Sequence, residues 1–281
     1  MIPSMRGTAI AMLALAWSAI ALAGCGGASH TSSIGAPVGA EEPISGAQAV
    51  AYAHAVNLRP ADLPGMSVLS PEGATPVSGP LEGEAARCAG AVNPHLMVAK
   101  IRSANFSGRA HELIQSTVVV WPNSALAARE QVVGRSQRAL LCAQRLVSRE
   151  FARRSGPTFR SGRVKISRLG SLPGVPGSSG VRIEIPILGA HPVNDYVDAV
   201  KFVYGRSAVT LLATGVLRPV ATATERRLLS LLYTRAKTYV ETRRNLDQAR
   251  DLLRKYLQSN LTPNDPTREE AQKLLQRASG A

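Results

Sequence analysis

Leu126, Val133, Leu140 and Val147 recur every seven residues, and Phe151 extends the same stripe. Seven residues is close to two helical turns. The spacing predicts one long amphipathic helix, opened by Asn123 or Ser124 as N-cap and running to Arg154. Arg135, Arg138, Arg145, Arg149 and Arg153 fall on the opposite side of the same wheel. One face is therefore apolar and the other strongly basic. A second seven-residue series, Leu232, Tyr239, Leu246 and Leu253, predicts a helix from Thr222 to about Ser259. Asn260 to Pro266 interrupts it, and Thr267-Arg268-Glu269-Glu270 resembles a capping box opening a last short helix.

Elsewhere the period shortens to two. Val181, Ile183, Ile185 and Ile187 alternate with other residues and mark a strand. Pro186 cannot donate to a ladder, which places it at a sheet edge or a strand end. Tyr196–Tyr204 and Ser207–Thr214 form a hairpin through Gly205 and Arg206. Met66–Ser70, Leu96–Phe106, Leu113–Trp121 and Val164–Leu169 read as further strands, and Ser45–Asn57 and Glu82–Ala91 as short helices. Strands mixed with segregated helices predict an α+β fold: a twisted, mostly antiparallel sheet flanked by helices, with a C-terminal helical hairpin. The expected boundaries are 45–240 for this domain and 241–281 for the helical extension.

The N-terminus follows a different rule. Arg6 precedes an apolar run from Ala9 to Ala23. A positive start, a short apolar stretch and a small-residue cleavage site make a secretory signal over residues 1–24. The run is shorter than the ~20 residues of a spanning helix. It ends Leu22-Ala23-Gly24-Cys25, which resembles the lipobox of bacterial lipoproteins: an aliphatic residue, two small residues and a cysteine. That resemblance implies a diacylglyceryl thioether on Cys25, with palmitate-type chains. It places the protein at the extracytoplasmic face of a cell membrane. An ordinary cleaved signal with an unmodified Cys25 is the alternative. Residues 25–44 are rich in Gly, Ser and small residues and read as a flexible tether. Its length of roughly 20 residues gives a span of about 25 Å.

Composition narrows the chemistry. The 45% hydrophobic content supports a real core, built from aliphatic residues because aromatics are only 4%. The net charge is +14. Between Lys100 and Arg168, fourteen Lys and Arg stand against three acids: Glu112, Glu130 and Glu150. Such a patch attracts anions. Export argues against nucleic acid and for envelope polymers, lipid headgroups or a protein partner. A plain solvated surface is the bland alternative. With Cys25 acylated, Cys88 and Cys142 remain, and in an oxidising compartment they are most simply one disulfide. Two cysteines without CxxC spacing or a nearby His pair do not make a zinc set.

Catalytic patterns are missing. There is no G-x-S-x-G elbow, no phosphate-binding glycine loop and no paired histidine motif among His30, His54, His95, His111 and His191. Asp195 and Asp198, near His191, are the densest titratable cluster, and read as turn and edge residues. No catalytic residue, metal or cofactor is implied. Binding is the expected class. One candidate surface is the Arg face of the 124–154 helix. The other is a groove between sheet and helices, lined by Val and Leu, for a lipidic ligand. An assembly role for the C-terminal helices is a third reading.

Several pieces together resemble actinobacterial lipoproteins and the extracellular sensor domains of membrane Ser/Thr kinases. They are Ala61-Asp62-Leu63-Pro64-Gly65, the Cys88 segment, Val118–Ala128, Cys142–Leu146 and the hairpin Asp198–Leu212. The resemblance covers roughly residues 58–240. It implies an α/β/α sandwich similar to PsbP, a disulfide, a cleft, and ligand or envelope binding without catalysis. The chain departs from it in having one candidate disulfide where the kinase sensors have two, and in its basic C-terminal helices.

Overall fold

The structure is a computed structural model and describes residues 42–74, 80–156, 160–189, 192–258 and 268–279. The signal, Cys25, His30, His191, Thr267 and most of the tether lie outside these residues. The described residues fall into two compact units, one ending at Thr234 and one starting at Arg235.

The first unit is built on one open sheet. Its strands are β1 (Ser67–Ser70), β2 (Gly73–Ala74), β3 (Ala99–Arg102), β4 (Asn105–Ser107), β5 (Leu113–Val120), β6 (Arg160–Ser161), β7 (Lys165–Leu169), β8 (Ser179–Leu188), β9 (Val193–Tyr204) and β10 (Ser207–Val216). The order is β1-β4-β5-β10-β9-β8-β6, with β3 also on β5, β2 on β3 and β7 on β8. Every described pairing is antiparallel. The expected α+β class with an antiparallel sheet is what forms. Central β10 is buried along nearly its whole length, so both of its faces are covered.

Successive strand residues point to opposite faces, and the register sorts them. Helix α1 (Gly46–Val56) and the start of α5 (Thr222–Gln258) cover one face. The Tyr52 hydroxyl meets the Ser207 hydroxyl at 2.6 Å, and Tyr233 packs edge-on against Phe202 at 5.5 Å. Ser45 caps α1 through the Gln48 amide, and Gln48 returns the bond to Ser45, a complete capping box worth about 1 kcal/mol. Helices α2 (Pro80–Ala89), α3 (Ser124–Gly134) and α4 (Gln137–Arg154) belong to the other face. There Val147 and Phe151 of α4 pack on Val181, Ile183, Ile185, Val197 and Leu212.

Three expectations change. The single helix over 124–154 is two helices, because Ser136 leaves the helix (ψ 152°) and its hydroxyl accepts from the Ala139 amide, starting α4 afresh. Gly134, a poor helix former, ends α3 just before it. The strand expected over 96–106 is a one-turn helix, Pro94–Leu96, then β3 and β4. The gap falls at Ser103, whose hydroxyl takes the Ser116 amide in place of a ladder carbonyl. Of the two places open to Pro186 it takes the strand end, two residues before Leu188, and not an outer edge: β8 pairs with β9 on one side and with β7 then β6 on the other. The missing amide falls in the break between the β7 and β6 ladders. In the β9–β10 turn, Gly205 takes φ +55°, the left-handed conformation that glycine adopts at no steric cost.

In the second unit, the C-terminal half of α5 and α6 (Arg268–Ser279) form a helical hairpin. Arg250 Nε donates to the Ala278 carbonyl at 2.6 Å, and Ala271 is buried. Among the described residues, no helix is long and apolar enough to cross a membrane.

Candidate functional site

Cys88 on α2 and Cys142 on α4 are joined as a disulfide. The sequence pointed to that pair, and the structure adds what it holds. Arg138 Nε donates to the Cys88 carbonyl at 2.7 Å. Arg149 makes a forked pair with Glu84 at 2.6 and 2.5 Å. That fork holds the Glu84 carboxyl below its ordinary range and raises the Arg149 guanidinium above its own. Helix α2 is thus stapled to α4 by one covalent and two polar links.

The five arginines predicted as one face therefore have different tasks. Arg135 sits at the end of α3, and its guanidinium donates to the Gly177 carbonyl, which Gln131 also reaches at 2.7 Å. Arg138 and Arg149 bind α2. Arg145 and Arg153 are exposed on α4. The sheet edge brings up further bases that a helical wheel does not contain. Helix α4 packs against β6 and β7, where Arg160, Arg163 and Lys165 are exposed. Arg168 of β7 reaches Gln137 Oε1 at 3.0 Å, tying this edge to the start of α4. Glu130, one of the three acids counted against this patch, is 1% exposed and does not offset charge at the surface.

Beneath α2 and α3 the sheet is polar where a core face is ordinarily apolar. The register aligns Ser179, Lys201, Thr210, Thr117 and Arg102 in one row across five strands. Lys201 pairs with Glu130 of α3 at 3.5 Å, and Lys100 bonds Glu82 of α2. All four side chains are buried. Burial pushes the Glu130 carboxyl above its ordinary range, against the pull of Lys201 and a backbone hydrogen bond from Val92. This polar row runs beside Val119 and Val203, which pack against the α2–α3 cluster.

The opposite face carries a third charged group. Arg182 forks onto Asp198 at 2.7 and 2.6 Å across the β8–β9 pair. Asp198 also hydrogen-bonds Glu225 in the first turn of α5. Asp198 is 1% exposed and Glu225 2%. Burial, then the hydrogen bond to Asp198 and its charge, push Glu225 up to about 9. A protonated Glu225 can donate to the Asp198 carboxylate, so the two acids and the arginine together carry no net charge. The Asp198 bond raises the Arg182 guanidinium further above its ordinary value. Burial pushes Asp195 to about 6. Asp195 and Asp198 are therefore not turn residues; both lie within β9, on opposite faces. Among the described residues, no group of three His, Cys, Asp or Glu is placed to hold a metal ion.

The buried Glu82, Lys100, Lys201 and Glu225 and the half-buried Arg182 were not singled out from the sequence, and Glu130 was counted only as a charge. A usable signal existed in β9. Asp198 on one face and Lys201, with Asp195, on the other are charges in an otherwise apolar strand, and such charges need partners when buried.

No protein-family profile and no curated protein matches the chain. Among solved structures, it is similar to the extracellular domain of PknH from Mycobacterium tuberculosis. The identity is 10%, covering 70% of this chain and 98% of that one, at a TM-score of 0.36. A likeness that distant carries no argument about function.

Proposed function

We propose that the protein is a non-enzymatic binding module, held by a lipid on Cys25 at the extracytoplasmic face of a membrane, that engages an anionic envelope component. The observation that supports this is the cationic surface of α4 and the β6–β7 edge. Arg145, Arg153, Arg160, Arg163 and Lys165 are exposed there, with Lys165 paired to the Glu184 carboxylate at 3.7 Å. Arginine is the suited cation, because its planar fork matches phosphate and carboxylate groups. The test is titration of the chain with soluble polyglycerol phosphate at several salt concentrations. Binding that weakens with salt, and is lost in the Arg145→Glu, Arg160→Glu, Arg163→Glu variant, supports the reading. Salt-independent or absent binding defeats it. Mass spectrometry of membrane-extracted protein tests the anchor, and an unmodified Cys25 removes that part.

The polar row beneath α2 and α3 favours a second reading, a polar ligand held between sheet and helices, over a lipid carrier. Native mass spectrometry that releases a bound lipid would reverse that preference.

A further inference from the structure

The bases on α4 do not stand alone. Leu141 is 53% exposed, three residues after Arg138 and four before Arg145. In a helix those spacings place all three on one stripe. Gln137 and Ala152, also exposed, continue the stripe toward the two ends. On α3 the same thing happens: Val132 is 71% exposed, three residues after exposed Arg129. Single exposed apolar side chains are ordinary, but here they stand beside arginines on the same helices. A surface that meets a bilayer uses both: bases bind headgroup phosphates while a neighbouring leucine enters the apolar boundary below them.

We infer that the α3–α4 surface and the β6–β7 edge form a second contact with an anionic lipid bilayer. This rests on the cationic-surface reading above and names its occupant. Charge complementarity selects phosphatidylglycerol-type or cardiolipin-type headgroups, and Leu141 and Val132 supply the apolar insertion. A lipidated Cys25 about 20 residues from the domain would hold this surface at high effective concentration against the bilayer. The contact would therefore set the orientation of the domain more than its residence on the membrane.

The test uses the chain from residue 25 onward carrying Cys25→Ser, which removes any acyl anchor. It is sedimented with vesicles of pure phosphatidylcholine and with vesicles containing phosphatidylglycerol. The expected result is binding to the anionic vesicles only, weakened roughly fivefold for each base removed among Arg145, Arg160 and Arg163. Leu141→Asn is expected to weaken binding with an unchanged salt slope. Its exposed position leaves folding intact, so it remains readable if a multiple reversal fails to fold. Binding of Leu141→Asn equal to that of the parent overturns the inference. Binding to soluble polyglycerol phosphate without vesicle binding also overturns it, and leaves the cationic-surface reading standing. Binding to neither overturns both.

Discussion

On the face of α1 and α5, Val209, Leu211, Leu228 and Leu229 are fully buried and Phe202 packs on Tyr233, and the charges gather at the first turn of α5. On the other face the same strands give α4 an apolar patch, Val181, Ile183, Ile185, Val197 and Leu212, but under α2 and α3 they present Lys201, Thr210, Thr117 and Arg102 in mid-sheet. One face is closed largely by apolar burial. The other gives each of two short helices a buried ion pair, Glu82–Lys100 for α2 and Glu130–Lys201 for α3. Buried ion pairs add little net stability, because desolvation cancels most of the attraction. What they contribute is position. A helix with little apolar surface can slide on an aliphatic sheet, and a buried lysine allows one place for its partner. The disulfide and the Arg149–Glu84 fork then hold α2 against α4. The region under α2 and α3 is thus specified by pairing, and the face under α1 and α5 largely by area.

The contrast can be broken by substitution. Lys201→Ala should be the most costly change, destabilising by roughly 3–5 kcal/mol because it strands Glu130 in the core. Lys201→Met with Glu130→Leu should recover most of that in chemical denaturation. If the double variant is no better than the single one, the pair is not what fixes α3. Removing the disulfide with Cys88→Ala and Cys142→Ala should cost at most about 4 kcal/mol, from a sequence separation of 54 in the chain-entropy model. The melting transition of oxidised and reduced protein measures it.

The acid pair on the other face predicts a pH dependence. Glu225 is raised from 4.5 to about 9, so the folded protein keeps a proton that the unfolded chain has released. Its contribution is full below pH 4.5 and is lost as pH rises toward 9, with a slope of up to about 1.4 kcal/mol per unit. Asp195 adds the same sign between 3.8 and about 6. Denaturation midpoints measured from pH 5 to 9 should fall for the parent and fall less for Glu225→Gln. An equal slope in both would remove Glu225 from the account. The smallest effect is expected at Leu141→Asn, which should change stability by within about 0.5 kcal/mol while changing vesicle binding. A large loss of stability there would make Leu141 a packing residue.

Much of the architecture was legible one element at a time. The short helix starting at Ser45 is local chemistry, though its capping box was not read, and so is the Gly205 turn. The alternation of Val181, Ile183, Ile185 and Ile187 describes a face before any partner is known. The disulfide followed from cysteine count and export. Each depends on residues close in the chain, or on there being only one way to pair two groups. The break at Ser136 was also local, but a seven-residue apolar spacing that continues across it hid the cap.

The site was less legible for a physical reason. Whether a base is surface charge or buried pin depends on what lies above it, and that is decided by strands far apart in sequence. Arg102, Thr117, Lys201 and Thr210 join in one row only through the β3–β5, β5–β10 and β10–β9 registers. The wheel that grouped five arginines could not know that three would bind α2 or the Gly177 loop, nor that β6 and β7 would bring Arg160, Arg163 and Lys165 to α4. The sequence by itself determined most of the elements, the net charge and the cysteine pair. Only the tertiary structure decided which charges are buried, because desolvation and pairing belong to the packed sheet and helices and not to any one stretch of chain.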